Sequence, residues 1–383
     1  MFRIGKEESE AFDRVIKSGA LFKINDGPRE VMHCENELKA IMGVDYALLM
    51  TSGEAALISA LIGLGIGPGD EVIIPAYTYI ATAMAVIAVG AIPVICECDE
   101  TLTIDCNDAD KKVSKYTKAI IPVHIQGFPS DMDAVCSLAK KHGIAVVEDA
   151  CQSVGGSYKG HMLGSVGDAG AFSFNYFKVI TSGEGGALFT SNRQLYERAL
   201  IYHDASAIAY FGTQLDGVNE PQFCGSEYRV SEFTGAVIRE QLKRLDGIIY
   251  DLRKNKAYIT DAVQGKYSLA ASNDILGDCG TTLPFHFGSE AEARAFASRI
   301  GGTLPIDTGK HVYCNWTPIM EKRGAFHPLM DPFKMEANKG LNHNYSKDMC
   351  PKTLDLLART VYLMINPDWS RDTIDALIDS ILG

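Results

Sequence analysis

Between residues 45 and 245, short runs of apolar and β-branched residues alternate with longer stretches whose apolar positions recur at helical spacing. The runs 71–75, 92–96, 118–122, 144–148, 170–174 and 186–190 are too short for helices and apolar almost throughout, as strands buried on both faces of a sheet must be. Between them, 52–64, 80–89, 132–142 and 193–203 carry helical patterning, and 233–245 reads as a helix running on into a connector through Ile248, Tyr250 and Leu252. Such alternation predicts an α/β fold, a mostly parallel mixed sheet with helices on both faces.

After the connector the texture changes. Strand-like residues 282–287, a helical pattern at 290–300 and another at 373–382 predict a smaller C-terminal α+β domain. The boundary is therefore placed in the connector, with a large domain at 1–247 and a small one at 248–383. Residues 303–350 are rich in Pro, Gly, His, Asn and aromatics, and their irregular pattern predicts surface or cleft loops rather than a packed layer.

Composition narrows the function classes. With 48 acidic against 36 basic residues the net charge is −12, which opposes nucleic acid and anionic membrane surfaces, so neither partner is expected. Ten cysteines are scattered without a CxxC pair or a zinc spacing, as in reduced thiols of a reducing compartment. The charged amino end lacks a signal-type apolar region and no stretch is long enough to span a bilayer, so a cytoplasmic location is expected.

The candidate chemistry lies at the predicted strand ends. Ser52, Gly53 and Glu54 open a helix with small residues whose amides can meet an anion, although Ser-Gly before a helix is usually only a cap. Tyr77 and Tyr79 follow a buried strand at the end where parallel sheets form their ligand crevice, and one ring could stack on a flat heterocycle. Glu148 and Asp149 close an apolar strand, so at least one carboxylate is expected to face the crevice; helix capping by Asp149 is the ordinary alternative. Ser173 ends another strand and can supply a hydroxyl. Lys178 stands among aromatic and small residues, ahead of a side-chain-poor Gly183-Glu184-Gly185-Gly186 loop that lets backbone come close to whatever the amine carries.

Taken in order, an anion-binding helix start, a post-strand aromatic, Asp149 with Gln152 three residues on, Ser173, Lys178 and Gly-Glu-Gly-Gly make the chain resemble the DegT/DnrJ/EryC1/StrS sugar aminotransferases. These are pyridoxal-phosphate enzymes of the aspartate-aminotransferase fold type I. The likeness runs from Gly43-Val44 through 241–246 and more loosely to the carboxyl end.

The resemblance implies that Lys178 forms the Schiff base with pyridoxal 5′-phosphate and later shuttles a proton, and that Asp149 pairs with the pyridine nitrogen. It places Gln152 near the ring hydroxyl, Tyr79 against the ring, and Ser52, Gly53, Glu54 and Ser173 around the phosphate. Two positions depart from the family pattern. Glu54 stands where Thr is common, and Glu227, in Gly225-Ser226-Glu227-Tyr228-Arg229, stands where an asparagine reaches the phosphate in the neighbouring subunit. A carboxylate beside a phosphate dianion costs roughly a kcal/mol or more unless it turns away, stays protonated or pairs with a cation.

The implied reaction is transfer of an amino group from an amino acid, glutamate before glutamine, through pyridoxamine 5′-phosphate to a keto or aldehydo sugar, in a homodimer with active sites at the interface. Relatives that act as dehydratases carry histidine in place of Lys178. The 172–186 segment is similar to that of enzymes forming 8-amino-3,8-dideoxy-manno-octulosonate; a nucleotide-linked ketohexose or an inosose is the alternative acceptor. From a different class, Glu54 and Glu227 leave open a cofactor-binding regulator without turnover. His124, Tyr313, His327 and His343 are candidate sugar contacts, each with a structural reading beside it.

Overall fold

The computed structural model of the protein describes residues 2–23, 27–205, 217–341 and 343–383. Its first strands are β1 (Tyr46–Met50), β2 (Glu71–Pro75), β3 (Ile92–Cys96), β4 (Thr117–Ile120) and β5 (Ala145–Asp149). A two-residue pair, β6 (Ser157–Tyr158) and β7 (His161–Met162), precedes β8 (Ala169–Ser173) and β9 (Gly186–Thr190). Seven of these form one sheet in the order β1-β9-β8-β5-β4-β2-β3. Only β9 runs against its neighbours, pairing antiparallel with both β1 and β8, so the sheet is mixed but mostly parallel.

Strand parity explains why both faces are covered. Val72 and Ile74 of β2 point into one core while Ile73 points into another; in β5, Val147 and Val146 divide the same way. Each strand thus feeds two apolar layers. On one face lie the helices Gly53–Gly63, buried on nearly every side, and Ala81–Ala88; on the other lie Glu30–Met42, Met132–His142 and part of Glu232–Val263.

The same parity separates the two adjacent carboxylates of β5. Glu148 turns away from the crevice and is fully buried, where its oxygens accept the backbone N–H groups of Gly164, Val166 and Gly167 at 2.6–2.8 Å. His124 Nε2 donates to it at 2.9 Å while His124 Nδ1 accepts the Ser130 N–H at 3.0 Å. A buried carboxylate so fully bonded is structural. Asp149, one residue on, faces the opposite side.

The helix Glu232–Val263 runs 32 residues without a break, about 48 Å at 1.5 Å per residue, and passes straight through residue 247. Beyond it, β10 (Ser268–Leu269), β11 (Thr282–His286) and β12 (Thr360–Met364) form an antiparallel sheet backed by the helices Glu290–Ile300 and Arg371–Leu382.

One expectation fails here. Within 303–350, Val312, Tyr313 and Trp316 are fully buried in the same core as the Gly53–Gly63 helix, so this part of the segment is packed, not loose surface. Irregular backbone can be buried when its polar groups are paired. That condition is met by short 3-10 turns, by an antiparallel bridge from Val312 to Tyr77, and by Trp316 Nε1–H donating to the Lys310 carbonyl at 2.8 Å. The stretch around Phe326, Leu329 and Met330 is exposed, as expected.

Candidate active site

At the carboxyl ends of β5 and β8 a cavity of about 450 Å³ opens between the sheet and the packed 308–316 segment. Ser52, Gly53, Glu54, Tyr79, Asp149, Gln152, Ser173 and Lys178 all line it, joined by Cys151, Asn175, Phe177, Glu184 and His311.

Close packing at the helix start depends on glycine. A Cβ on Gly53 would lie 2.5 Å from Cys151 Sγ, and one on Gly186 would lie 2.2 Å from the Ser52 carbonyl oxygen. Any larger residue would push the helix Gly53–Gly63 off the ends of β5, β8 and β9. Ser52 is the N-cap, its hydroxyl accepting the Ala55 N–H at 3.0 Å, so the first free amides of the helix face the cavity floor. Burial raises the Glu54 carboxyl above its ordinary range, and the nearby Tyr228 phenol feels its charge.

Asp149 is held from behind. Thr82 Oγ1 donates to its Oδ2 at 2.7 Å and shares a 2.7 Å hydrogen bond with Thr78 Oγ1, while the Cys151 N–H donates to Oδ1 at 3.2 Å. Thr82 sits in the first turn of the helix Ala81–Ala88, buried against the sheet, so the carboxylate has one orientation. Gln152 Oε1 accepts the backbone N–H of Gln126 at 3.2 Å, leaving its amide N–H groups as donors. Lys178 lies in the β8–β9 loop, its backbone N–H bonded to the Asn175 carbonyl at 3.0 Å and the next two residues, Val179 and Ile180, buried. The Asn175 amide in turn donates to both oxygens of Glu184 at 3.2 Å, which occupies that carboxylate beside the amine.

Burial lowers the His311 imidazole below its usual value, and the charge on Lys178 pushes the same way, partly offset by the bond to Thr308. The Cys151 thiol is driven up by burial and stays protonated.

Four candidate sugar contacts, His124, Tyr313, His327 and His343, do not line this cavity. His124 is fully buried against Glu148 and cannot touch a sugar; Tyr313 is equally buried, its hydroxyl donating to the Lys347 carbonyl at 2.8 Å and accepting the Cys350 N–H at 3.0 Å. His327 caps a 3-10 turn in the exposed stretch by accepting the Leu329 N–H at 3.2 Å. Glu227, which the resemblance places at the neighbouring subunit's cofactor, lies outside the cavity of its own chain, about half exposed and paired with Arg229 at 2.5 Å; Arg229 also binds Asp204. An ion pair of this kind satisfies the carboxylate locally. His343 is likewise absent from the lining.

Thr82 and His311 escaped the sequence reading. Thr82 had a detectable signal, since a hydroxyl in the first turn after Tyr79 can face a neighbouring strand end, but His311 depends on a long-range pairing that no local pattern encodes. The arrangement can hold an aldehyde through an amine unpaired among the described residues, a protonated ring nitrogen through an oriented carboxylate, and an anion at a helix start.

Comparison with known proteins agrees with this chemistry. The sequence profile of the DegT/DnrJ/EryC1/StrS aminotransferase family matches residues 3–273. The spore coat polysaccharide biosynthesis protein SpsC of Bacillus subtilis (strain 168) is 39% identical over 99% of this chain and 94% of its own length. The L-glutamine:2-deoxy-scyllo-inosose aminotransferase of Streptoalloteichus tenebrarius is 35% identical over 78% of this chain and 71% of its own. Among solved structures, Streptomyces venezuelae DesV in complex with a ketimine intermediate superposes with a TM-score of 0.76 at 30% identity, covering 98% of this chain and 93% of that one.

Proposed function

The chain belongs to the DegT/DnrJ/EryC1/StrS aminotransferase family, and from that premise we propose that it moves an amino group from glutamate or glutamine to a neutral keto sugar or cyclitol. Its cofactor is pyridoxal 5′-phosphate. When bound, the cofactor supplies an aldehyde and an electron-withdrawing ring. Lys178 is the residue that holds the aldehyde and moves a proton at the substrate carbon; Asp149, oriented by Thr82, keeps the proton on the ring nitrogen. Gln152 offers its amide to the ring hydroxyl and Tyr79 covers the ring. The helix start at Ser52, Gly53 and Glu54, with the Ser173 hydroxyl, receives the phosphate.

The observation that carries the reading is the meeting, in one cavity, of an amine with no ion pair among the described residues and a carboxylate held by Thr82 and the Cys151 N–H. Charge narrows the acceptor. Among the described residues, Glu54, Asp149 and Glu184 line the cavity and Lys178 is the only Lys or Arg that does, so a carboxylate beyond the donor's own adds like charge there, which favours a neutral acceptor. A neutral polyhydroxy ketone avoids it, and a nucleotide-linked sugar does so if its phosphates stay outside.

A second copy completes the site in this reading. Phe177 lines the cavity mouth yet is 81% exposed, and Tyr176 beside it is 61% exposed, more aromatic surface than a finished pocket leaves in water. Light scattering is expected to give twice the mass of one chain, and a monomer that turns over normally would remove this part of the proposal.

The amino-transfer test uses the two half-reactions. The loaded protein should lose its pyridoxal absorbance on adding glutamate or glutamine, and the resulting pyridoxamine form is then challenged with 2-deoxy-scyllo-inosose, nucleotide-linked ketohexoses and the aldehyde precursor of the eight-carbon amino sugar. Recovery of the pyridoxal band with a neutral ketone is the expected result. Recovery only with the acidic sugar overturns the acceptor assignment, and no response to any amino donor overturns the enzyme and leaves a cofactor-binding regulator.

A further inference from the structure

His311 enters the cavity from a segment distant in sequence, yet its place is fixed by the backbone. The Thr78 N–H donates to the His311 carbonyl, the Ile80 N–H to the Lys310 carbonyl and the Tyr313 N–H to the Ala76 carbonyl, all at 3.0 Å. This ties His311 to the strand-end turn that carries Tyr79 and leads into Thr82, and the buried Val312, Tyr313 and Trp316 anchor it from below. Its ring lies 5.2 Å from the Tyr79 ring at 55° and 6.4 Å from that of Tyr77.

The tautomer follows from one contact. The Thr308 carbonyl can only accept, so the 3.3 Å bond from His311 Nδ1 places the hydrogen there. In the neutral ring Nε2 is then left as a bare acceptor. The charged and titratable groups sharing its surroundings are Lys178 from the β8–β9 loop, Glu184 from the same loop, Asp149 from β5, Glu54 from the helix start, and the two phenols of Tyr77 and Tyr79. Burial and Lys178 both favour the neutral ring. Two of the carboxylates are already engaged, Asp149 by Thr82 and Glu184 by Asn175. Nε2 is thus a neutral acceptor in the cavity lining, beside the Ser173 and Tyr79 hydroxyls.

An aminotransferase must pass two unlike substrates through one site. An amino acid carries a carboxylate beside its reacting carbon, whereas a sugar carries a hydroxyl there. A bare imidazole nitrogen accepts from a hydroxyl and repels a carboxylate; a protonated one attracts the carboxylate and can no longer accept the hydroxyl's hydrogen.

We propose that His311 is the residue by which the site distinguishes its sugar acceptor from its amino donor, with Nε2 accepting a hydrogen bond from the hydroxyl next to the carbonyl that is aminated. The inference rests on the amino-transfer reading above. Its pH sign follows: because the ring is held neutral until below the ordinary histidine range, acceptor binding is intact at neutral pH and weakens as pH falls and Nε2 takes a proton, while binding of the carboxylate-bearing donor does not weaken with it.

The test measures the half-reactions separately in the holoenzyme and in His311→Phe and His311→Gln, as a function of pH. His311→Phe should weaken acceptor binding on the order of ten-fold more than donor binding, as expected when a buried hydroxyl donor loses its partner. His311→Gln, which keeps an amide oxygen, should recover part of that loss and remove the acid limb of acceptor binding. An acceptor lacking the adjacent hydroxyl should bind wild type as weakly as the full acceptor binds His311→Phe, with little further loss in the variant. Retained cofactor absorbance and circular dichroism serve as folding controls, and a variant that fails them leaves the wild-type comparison of full and deoxy acceptors to decide. Equal losses in both half-reactions, an acid limb that survives in His311→Phe, or a deoxy acceptor bound as well as the full one overturns the inference. If instead no sugar returns the wild type to its pyridoxal form, the amino-transfer reading itself has failed.

Discussion

Replacing Lys178 with alanine is expected to end turnover, with kcat falling by roughly 10²–10⁴-fold from the lost proton transfer alone and further from the lost covalent hold on the cofactor. The fold should survive, because Lys178 forms no ion pair among the described residues and its removal strands no buried carboxylate there; substitutions away from such features usually stay within about 0.5 kcal/mol. Borohydride reduction gives a second readout. It should fix the cofactor covalently to the wild-type chain at Lys178, as seen by peptide mass, and leave the variant unlabelled. Undiminished turnover in Lys178→Ala, or labelling at a different lysine, would remove Lys178 from the chemistry.

Asp149→Asn tests the other half of the pair. Asparagine keeps the shape and can still accept from Thr82 Oγ1, so the substitution isolates the charge. A hydrogen bond to a charged group contributes about 1.5–3 kcal/mol, so both half-reactions should slow by roughly 10–150-fold or more. Covalent capture at Lys178 by borohydride should persist, which separates a ring-nitrogen role from a role in cofactor attachment. Thr82→Val should give a smaller loss in the same direction, since it frees the carboxylate to rotate without neutralising it. If Asp149→Asn retains wild-type kcat, the carboxylate is only a strand-end cap.

Most of the fold was written in short-range pattern. The apolar runs at 71–75, 92–96 and 186–190 coincide with β2, β3 and β9, because a strand buried on both faces is apolar through its middle and polar only at its ends, as at Glu71 and Thr190. The long helix Glu232–Val263 was readable as a helix and connector, since apolar spacing persists through Ile248 and Leu252. The 303–350 segment was not readable. Periodicity reports on regular backbone, and here burial is achieved by 3-10 turns and cross-segment hydrogen bonds that leave no periodic trace.

The candidate site divides along the same line. Ser52, Asp149, Ser173 and Lys178 were legible because in a parallel sheet each strand delivers its last residues to the same edge, whatever the rest of the chain does. Glu148 and Asp149 could be told apart only once β5 had a face, since side-chain alternation fixes opposition and not which side is the crevice. His124 looked available after a buried strand and Tyr313 in the C-terminal loops, but tertiary packing commits their hydrogen bonds to Glu148, Lys347 and Cys350. His311 became a site residue only through the pairing of Val312 with Tyr77. The sequence by itself thus determined which amine, carboxylate and helix start meet at one edge of the sheet, through local order along strands and the resemblance to the family. Which imidazole lines the cavity, and how Thr82 aims Asp149, only the tertiary structure decided, because both depend on contacts between residues that the chain brings together only when the two layers close on the sheet.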